Sequence, residues 1–180
     1  MQIWLEQVRE EPLAWKEAVV VALSDFESPD LVAMSPVECS GRMVFAEPGF
    51  LLTADLSYEQ TLACTRCLTQ FVERMEPTIE LLVLQGKELV EDEERELGAR
   101  DLGVWQVEGD KFLTEPVIVE QVQLNIPMKP LCREDCRGLC PTCGADLNAG
   151  DCGCDRAVSD PRWSGLAALR GQLGKVESGS

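Results

Sequence analysis

The sequence predicts an α+β protein, built from an antiparallel β-rich domain with a few short helices and a cysteine-rich C-terminal segment. Three observations support this prediction. Apolar and polar residues alternate along residues 37–63 on either side of a turn, which is typical of a β-hairpin. Helix start signals occur at Thr114 and Asp160, where a proline follows within the first turn. Three of the four close pairs of cysteines fall within residues 132–154.

The first 35 residues fit more than one kind of element. Trp4, Leu5, Val8 and Leu13 suit either a short strand or one edge of a helix. The three successive valines at residues 19–21 favour a strand. The role of this region is left open by the sequence.

The clearest strands lie further along the chain. Alternate residues from 37 to 45 are apolar or small, residues 47–49 form a Glu-Pro-Gly turn, and residues 50–63 follow as a second strand. Another extended run covers residues 79–84, and residues 104–107 alternate again as a returning strand. We therefore expect these runs to form one antiparallel sheet.

Two helices are predicted. The first takes Thr114 as its N-cap and runs to about Gln123. The second opens at Asp160, with Pro161 in the first helical position. Apolar side chains recur along one face of each helix: Ile118 and Val122 in the first, and Trp163, Leu166 and Leu169 in the second.

Charge is distributed unevenly along this chain of 180 residues, whose formal net charge is −16. Residues 1–128 hold 25 acidic and 9 basic side chains, whereas residues 129–180 hold seven of each. An acidic surface repels nucleic-acid phosphates, so it favours a basic partner or serves only solubility. The glutamate-rich stretch at about residues 86–103 is expected to be a flexible acidic loop, or alternatively a contact for a basic partner.

Several classes of protein are excluded or disfavoured. The chain has no histidine, so it lacks Ser-His-Asp and Cys-His nucleophile systems. No paired carboxylates or phosphate-cradling glycine loop are recognisable, and we expect no enzyme activity and no small-molecule substrate. The N-terminus does not resemble a signal peptide, and the longest purely apolar stretch, residues 18–23, is too short to span a membrane. We therefore expect a cytoplasmic protein whose thiols stay reduced.

Four of the nine cysteines have the spacing of a closed zinc site. Cys140 and Cys143 are separated by two residues and followed by a glycine, which allows a tight turn beneath a metal ion. Cys152 and Cys154 place two sulfur atoms on the same side of an extended chain. Thiolate is a favoured ligand of structural zinc, so these four cysteines predict one site.

The remaining pairs predict a second zinc ion, again held by four thiolates. Cys64 and Cys67 form a CxxC motif at the end of a predicted strand, and Cys132 and Cys136 follow the helix. A rival arrangement places the cysteines of residues 132–143 on one ion and the outer four on another. The ninth cysteine, Cys39, lies in a strand pattern and is expected to be a buried apolar residue.

Two other chemistries compete with zinc. The spacing of Cys136, Cys140 and Cys143 also occurs in radical iron–sulfur enzymes, but the alternating strands and helices of their large barrel are missing from this sequence. Cys64 and Cys67 have the spacing of a redox-active dithiol, but such a pair normally opens a helix. We therefore expect the chain to consist of an acidic β-rich domain (1–128), a zinc-binding segment (129–155) and a C-terminal helix and tail (156–180).

Two runs around the cysteines form a longer pattern, Leu-Asn-Ile-Pro-Met-Lys-Pro-Leu-Cys at residues 124–132 and Cys-Arg-Gly-Leu-Cys-Pro-Thr-Cys-Gly-Ala-Asp-Leu-Asn at residues 136–148. This pattern resembles the bacterial and plastid YceD family, whose members are described as large ribosomal RNA subunit accumulation proteins. Cys-Thr-Arg-Cys-Leu at residues 64–68 and Asp-Pro-Arg-Trp at residues 160–163 also fit. The resemblance spans roughly residues 37–170, and the residues that it identifies as metal ligands are Cys64, Cys67, Cys132, Cys136, Cys140, Cys143, Cys152 and Cys154.

The resemblance implies a role in accumulating large-subunit (23S) ribosomal RNA rather than catalysis. Two partners fit this role, the large-subunit rRNA itself or a basic ribosomal protein held by the acidic domain. Lys129, Arg133 and Arg137 lie beside the cysteines and are the candidate contacts for RNA or another partner. The alternative is a zinc-ribbon module that binds proteins without any ribosomal link.

Overall fold

A computed structural model describes residues 1–86 and 103–155, which belong to two compact units, Met1–Glu134 and Asp135–Ser180. The three-part division expected from the sequence stays a prediction. The regular elements of the described residues are β1 (Gln2–Trp4), α1 (Leu5–Glu10), β2 (Leu13–Val19), a short 3-10 helix (Leu23–Asp25), β3 (Leu31–Met34), β4 (Val37–Ala46), β5 (Gly49–Ala63), β6 (Gln70–Met75), β7 (Thr78–Gln85), β8 (Val104–Val107), β9 (Lys111–Leu113) and α2 (Thr114–Asn125).

The longest strand, β5, organises the first unit. Its first half pairs antiparallel with β4 and β7, and its second half pairs antiparallel with β3 and β6. Strands β2 and β8 complete the seven-stranded sheet at its two edges. The predicted β4–β5 hairpin is confirmed, because pairing starts at Ala46 and Gly49 on either side of the turn. Strands β3 and β6 were missed by the sequence analysis, since both are short and carry little alternation.

The sheet is mostly antiparallel, as expected, but the antiparallel arrangement does not extend to one edge. Strand β8 runs parallel to β7, with Leu82 opposite Val104 and Gln85 opposite Val107. Parallel neighbours need a long connection, and residues 86–103 separate these two strands. The alternating pattern of residues 104–107 identified a strand but carried no information on its direction.

A second, two-stranded sheet forms where β1 pairs antiparallel with β9. It brings the start of the chain next to α2, and the N–H of Thr114 donates to the carbonyl of Met1. The predicted N-cap role of Thr114 is therefore wrong: Leu113 precedes the helix, and the Thr114 hydroxyl donates to the Met1 carbonyl at 3.2 Å. The helix itself ends at Asn125, two residues beyond the predicted end.

The core lies on one face of the large sheet. Alternate side chains of β4 and β5 point into it, and both helices contribute apolar residues, among them Leu5, Val8, Ile118 and Val122. Cys39 is 3% exposed among them, and burial raises the pKa of its thiol to about 11. The expectation that Cys39 is a buried apolar residue is confirmed.

Some predictions concern residues outside the described part of the chain. The acidic loop falls almost entirely on residues 87–102, and the second helix, with Trp163, Leu166 and Leu169, falls on residues 156–180. Within the described residues, no helix has the length and apolar character needed to cross a bilayer.

The contact between Trp15 and Gly41 gives a test of the sheet. These residues are partners on β2 and β4, and a Cβ built on Gly41 would lie 2.2 Å from the Trp15 ring. Replacing Gly41 by alanine should displace that ring and lower the free energy of unfolding by about 1–3 kcal/mol. Urea titration followed by fluorescence measures this change. The control Ser40→Ala lies on the exposed face of the same strand, and an equal loss in both variants would contradict the assigned contact.

Candidate metal centre

The first two predicted ligands sit at the tip of a hairpin. Strand β5 ends at Ala63, which pairs with Gln70 of β6, so residues 64–69 form the connecting loop. The N–H of Cys64 donates to the carbonyl of Thr69, and the N–H of Leu68 donates to the carbonyl of Cys64. These two bonds fold the CxxC motif into a compact turn.

The same turn occurs in the second unit. Leu139 and Asp146 form an antiparallel bridge, and the loop between them contains the second CxxC motif. The N–H of Cys140 donates to the carbonyl of Ala145, and the N–H of Gly144 donates to the carbonyl of Cys140. Both CxxC loops therefore have one hydrogen-bond pattern, and we call them knuckle 1 (residues 64–69) and knuckle 2 (residues 140–145).

One position of each knuckle requires a left-handed backbone. It is occupied by Gly144 in knuckle 2, with φ of 74°, and by Leu68 in knuckle 1, with φ of 62°. Glycine adopts this conformation at little cost, whereas a side chain with a Cβ disfavours it by about 1–2 kcal/mol. Leu68 is the one non-glycine residue with positive φ in the described part of the chain.

The structure brings the eight paired cysteines into two groups of four. One group is Cys64, Cys67, Cys132 and Cys136, and the other is Cys140, Cys143, Cys152 and Cys154. Within each group the sulfur atoms all lie within 4.8 Å of one another. This is the grouping that the sequence analysis favoured, and the rival grouping of the four central cysteines is not the one observed.

Hydrogen bonds hold residues 130–134 against knuckle 1. The N–H and the hydroxyl of Thr65 both donate to the carbonyl of Pro130, at 2.9 and 3.2 Å. The guanidinium of Arg66 donates to the carbonyl of Glu134 at 3.4 Å. These contacts bring Cys132 to knuckle 1, where its sulfur lies 3.6 Å from that of Cys67.

The backbone of knuckle 1 favours a thiolate. Burial by itself raises the pKa of Cys64, which is fully buried. Backbone N–H groups of Cys132, Cys67 and Arg66 donate to its sulfur and lower the pKa to about 6. Hydrogen bonds from Thr69 likewise lower the pKa of Cys67.

In knuckle 2 the backbone also lowers the pKa of the first cysteine, whereas nearby thiols raise the pKa of Cys154. Backbone N–H groups of Cys143 and Thr142 donate to the sulfur of Cys140 and lower its pKa to about 6. In contrast, hydrogen bonds with Cys143 and Cys152 favour the protonated thiol of Cys154 and raise its pKa to about 12, and burial and the charges of the same two neighbours add to the shift. A bound cation would favour the thiolates, so four converging thiols are a donor set that fits a metal ion.

The sulfur-only composition limits which metals fit. Four thiolates in a compact group suit tetrahedral zinc or iron and disfavour magnesium or calcium, which take oxygen ligands. Each group could thus hold one metal ion with four protein ligands, and such a site leaves no open position for substrate or activated water.

Supporting residues were missed by the sequence analysis. Asn148 donates from its side-chain amide to the Cys136 sulfur at 3.5 Å, and its carbonyl oxygen accepts from the N–H of Arg137 at 2.8 Å. Such outer contacts fix the orientation of a ligand. The sequence did not single out Asn148, because a single asparagine gives no sign of which sulfur it contacts.

The three predicted partner contacts are all exposed. Lys129 directly precedes residues 130–134, which are bonded to knuckle 1, and Arg133 lies within them. Arg137 lies in the second unit, three residues before knuckle 2. The structure adds Arg66, which is exposed between the two cysteines of knuckle 1 and had not been singled out.

Comparison with known proteins places these cysteines in a shared segment. Residues 52–170 match the family described as large ribosomal RNA subunit accumulation protein YceD. This match covers more than half of the chain and includes all eight clustered cysteines. No solved structure matches the chain.

Individual relatives support the same assignment. The chain is 30% identical to Rv2926c of Mycobacterium tuberculosis over 132 residues, which is 72% of this chain and 60% of that protein. It is 28% identical to ML1660 of Mycobacterium leprae over 135 residues, 75% of this chain and 59% of that protein. It is also 37% identical over 60 residues to the chloroplastic large ribosomal RNA subunit accumulation protein YCED homolog 1 of Arabidopsis thaliana, 33% of this chain and 19% of that protein.

The chain thus spans about three fifths of the length of these mycobacterial relatives. The family match is more extensive than the resemblance of any single motif, because it runs continuously from near the start of β5 past the second group of cysteines. On this basis the chain belongs to the YceD family.

Proposed function

We propose that this protein is a non-enzymatic, cytoplasmic ribosome biogenesis factor that supports accumulation of large-subunit (23S) ribosomal RNA by binding a ribosomal component. The observation that carries the proposal is the family match over residues 52–170, whose description refers to that RNA. The organisation of the matched residues supports a binding role, since their most distinctive feature is two groups of four thiols.

Both groups are assigned to zinc in this proposal. A four-thiolate zinc site is closed, and such sites stabilise a fold rather than activate water. Iron–sulfur and dithiol redox chemistry fit less well. Each CxxC motif has two further cysteines within 4.8 Å, whereas the two cysteines of a redox dithiol act without further thiols. Each CxxC motif also lies in a loop between paired residues, whereas radical iron–sulfur enzymes hold their cluster in a large barrel.

The zinc ions would act by holding the segments that carry their ligands together. Knuckle 1 and residues 130–134 meet through three hydrogen bonds to backbone carbonyls, each of which contributes only about 0.5–1.5 kcal/mol in net terms. Four metal–sulfur bonds would hold the same segments far more firmly, since binding of structural zinc contributes on the order of 10 kcal/mol. The exposed residues beside the ligands would then keep one geometry for a partner.

Metal analysis tests the zinc assignment. Protein purified without added metal should contain two zinc ions per chain and be colourless, whereas an iron–sulfur protein prepared without air is brown. Cys143→Ser should lose one of the two ions and make residues 129–155 sensitive to protease. The control is Cys39→Ser, which should keep both ions. Full zinc content and an unchanged digest in Cys143→Ser would show that Cys143 is not a ligand.

Gly144 tests the geometry of knuckle 2. A Cβ there would meet no atom within 4 Å, so alanine changes only the cost of the left-handed backbone. We expect Gly144→Ala to weaken zinc binding about fivefold, equivalent to about 1 kcal/mol. Competition with a chromophoric chelator measures the affinity. A Cβ added at Gly150 would also meet no atom within 4 Å, but Gly150 has no positive φ. Gly150→Ala should therefore bind zinc as the wild type does.

The ribosomal role is tested in cells. A strain without the gene should have a lowered ratio of 23S to 16S rRNA, and the wild-type gene should restore it. A gene with Cys64→Ser should not restore it, because knuckle 1 loses its most buried ligand. A normal ratio in the deletion strain would overturn the proposed function and favour a protein-binding module without a ribosomal link.

A further inference from the structure

A cationic surface forms where knuckle 1 meets residues 127–134. The hydrogen bonds from Thr65 to Pro130 and from Arg66 to Glu134 bring these two segments together. Arg66, Lys129 and Arg133 are exposed on them. Within residues 64–69 and 127–135, these three cations are accompanied by two acidic side chains, Glu134 and Asp135. A local excess of positive charge thus stands out on a chain of net charge −16.

The charge of the metal site lies beneath this surface. Four thiolates on Zn²⁺ carry a net charge of −2, and the ligands are buried except for Cys132, which is partly exposed. An anion that approaches from solvent therefore meets the guanidinium and ammonium groups first.

Leu68 is the second observation, independent of charge. It holds a left-handed backbone with φ of 62° and is 66% exposed, so it has the unfavourable conformation without the benefit of burial. The equivalent position of knuckle 2 is Gly144. Met128, beside Lys129, is 97% exposed. Conformational strain at an exposed residue is typical of a functional contact.

We propose that Arg66, Leu68, Met128, Lys129 and Arg133 form an RNA-binding surface, named the knuckle-1 surface. This inference rests on the proposed function and specifies the ribosomal component as RNA. The three cations contact phosphates, and the leucine and methionine lie against bases or sugars, as apolar side chains do when they wedge between bases.

The composition of the surface favours RNA over a basic ribosomal protein. The three exposed cations suit a polyanion and would repel a basic partner, while the acidic remainder of the chain confines contact with RNA to this surface. Residues 64–69 and 127–134 contain no aromatic side chain, so stacking of bases on rings is not available there. Binding should therefore depend on phosphates, tolerate changes of RNA sequence and weaken steeply with salt.

The test compares two triple variants of the full, zinc-loaded chain. Arg66→Gln, Lys129→Gln and Arg133→Gln together remove the cations of the knuckle-1 surface. Lys16→Gln, Arg42→Gln and Arg74→Gln make the same charge change at exposed positions on β2, β4 and β6. The probe is a fluorescently labelled transcript of 23S rRNA domain fragments, titrated between 0.05 and 0.3 M salt, on the order of physiological ionic strength.

We expect the knuckle-1 triple variant to bind about 50-fold more weakly at about 0.15 M salt, and the salt slope to fall by about 2. The control triple variant should change affinity much less. Both should retain two zinc ions per chain, which shows that the knuckles are folded. Equal losses in the two variants, or no loss in either, would overturn the proposal.

Leu68→Gly distinguishes a contact of Leu68 with RNA from a purely structural role. Glycine suits the left-handed backbone, so thermal stability should be unchanged or higher. RNA affinity should nevertheless fall about fivefold, because the apolar contact is lost. Unchanged affinity would remove Leu68 from the surface.

The proposal and the proposed function fail in different ways. If the wild-type chain does not bind the RNA but binds a basic ribosomal protein, the knuckle-1 surface is wrong as an RNA site. The lowered 23S to 16S ratio of the deletion strain would then still support the ribosomal role. A normal ratio in that strain would overturn the proposed function whatever the binding assay shows.

Discussion

The arrangement of this protein depends on the turn that aims backbone N–H groups at a cysteine sulfur. In both knuckles the N–H groups two and three residues after the first cysteine donate to its thiolate. Knuckle 1 connects two paired strands and knuckle 2 is closed by the single bridge between Leu139 and Asp146, so backbone pairing determines the position of the sulfur in both. In knuckle 1 those strands are β5 and β6, which makes the ligand geometry a consequence of the sheet.

Strand β5 therefore connects the core with the site. Its first half holds the apolar core together between β4 and β7, and its last residue precedes Cys64 directly. At the left-handed position, knuckle 1 has leucine and knuckle 2 has glycine. Metal binding by the cysteines does not require this difference. We infer from this difference that knuckle 1 serves an external partner, whereas knuckle 2 serves the fold of its own unit.

The sequence predicted what depends on short-range pattern. The β4–β5 hairpin followed from alternation around a turn. The group of Cys140, Cys143, Cys152 and Cys154 followed from their spacing, which left the other four paired cysteines for the second group. It did not predict features that depend on contacts between distant residues. These include the parallel direction of β8 and the hydrogen bond from the Thr114 hydroxyl to the Met1 carbonyl, which replaces the expected N-cap role of Thr114. Arg66 escaped notice because only the folded chain brings knuckle 1 against residues 130–134.

Crosslinking by ultraviolet light in living cells tests the central claim most directly, since it joins only nucleic acid that touches the protein. The tagged protein should crosslink to large-subunit rRNA, and the modified peptides should contain residues 64–69 or 127–134. A basic ribosomal protein in the purified material, with no RNA crosslink, would contradict the account. The partner would then bind to the acidic domain and not to the knuckle-1 surface.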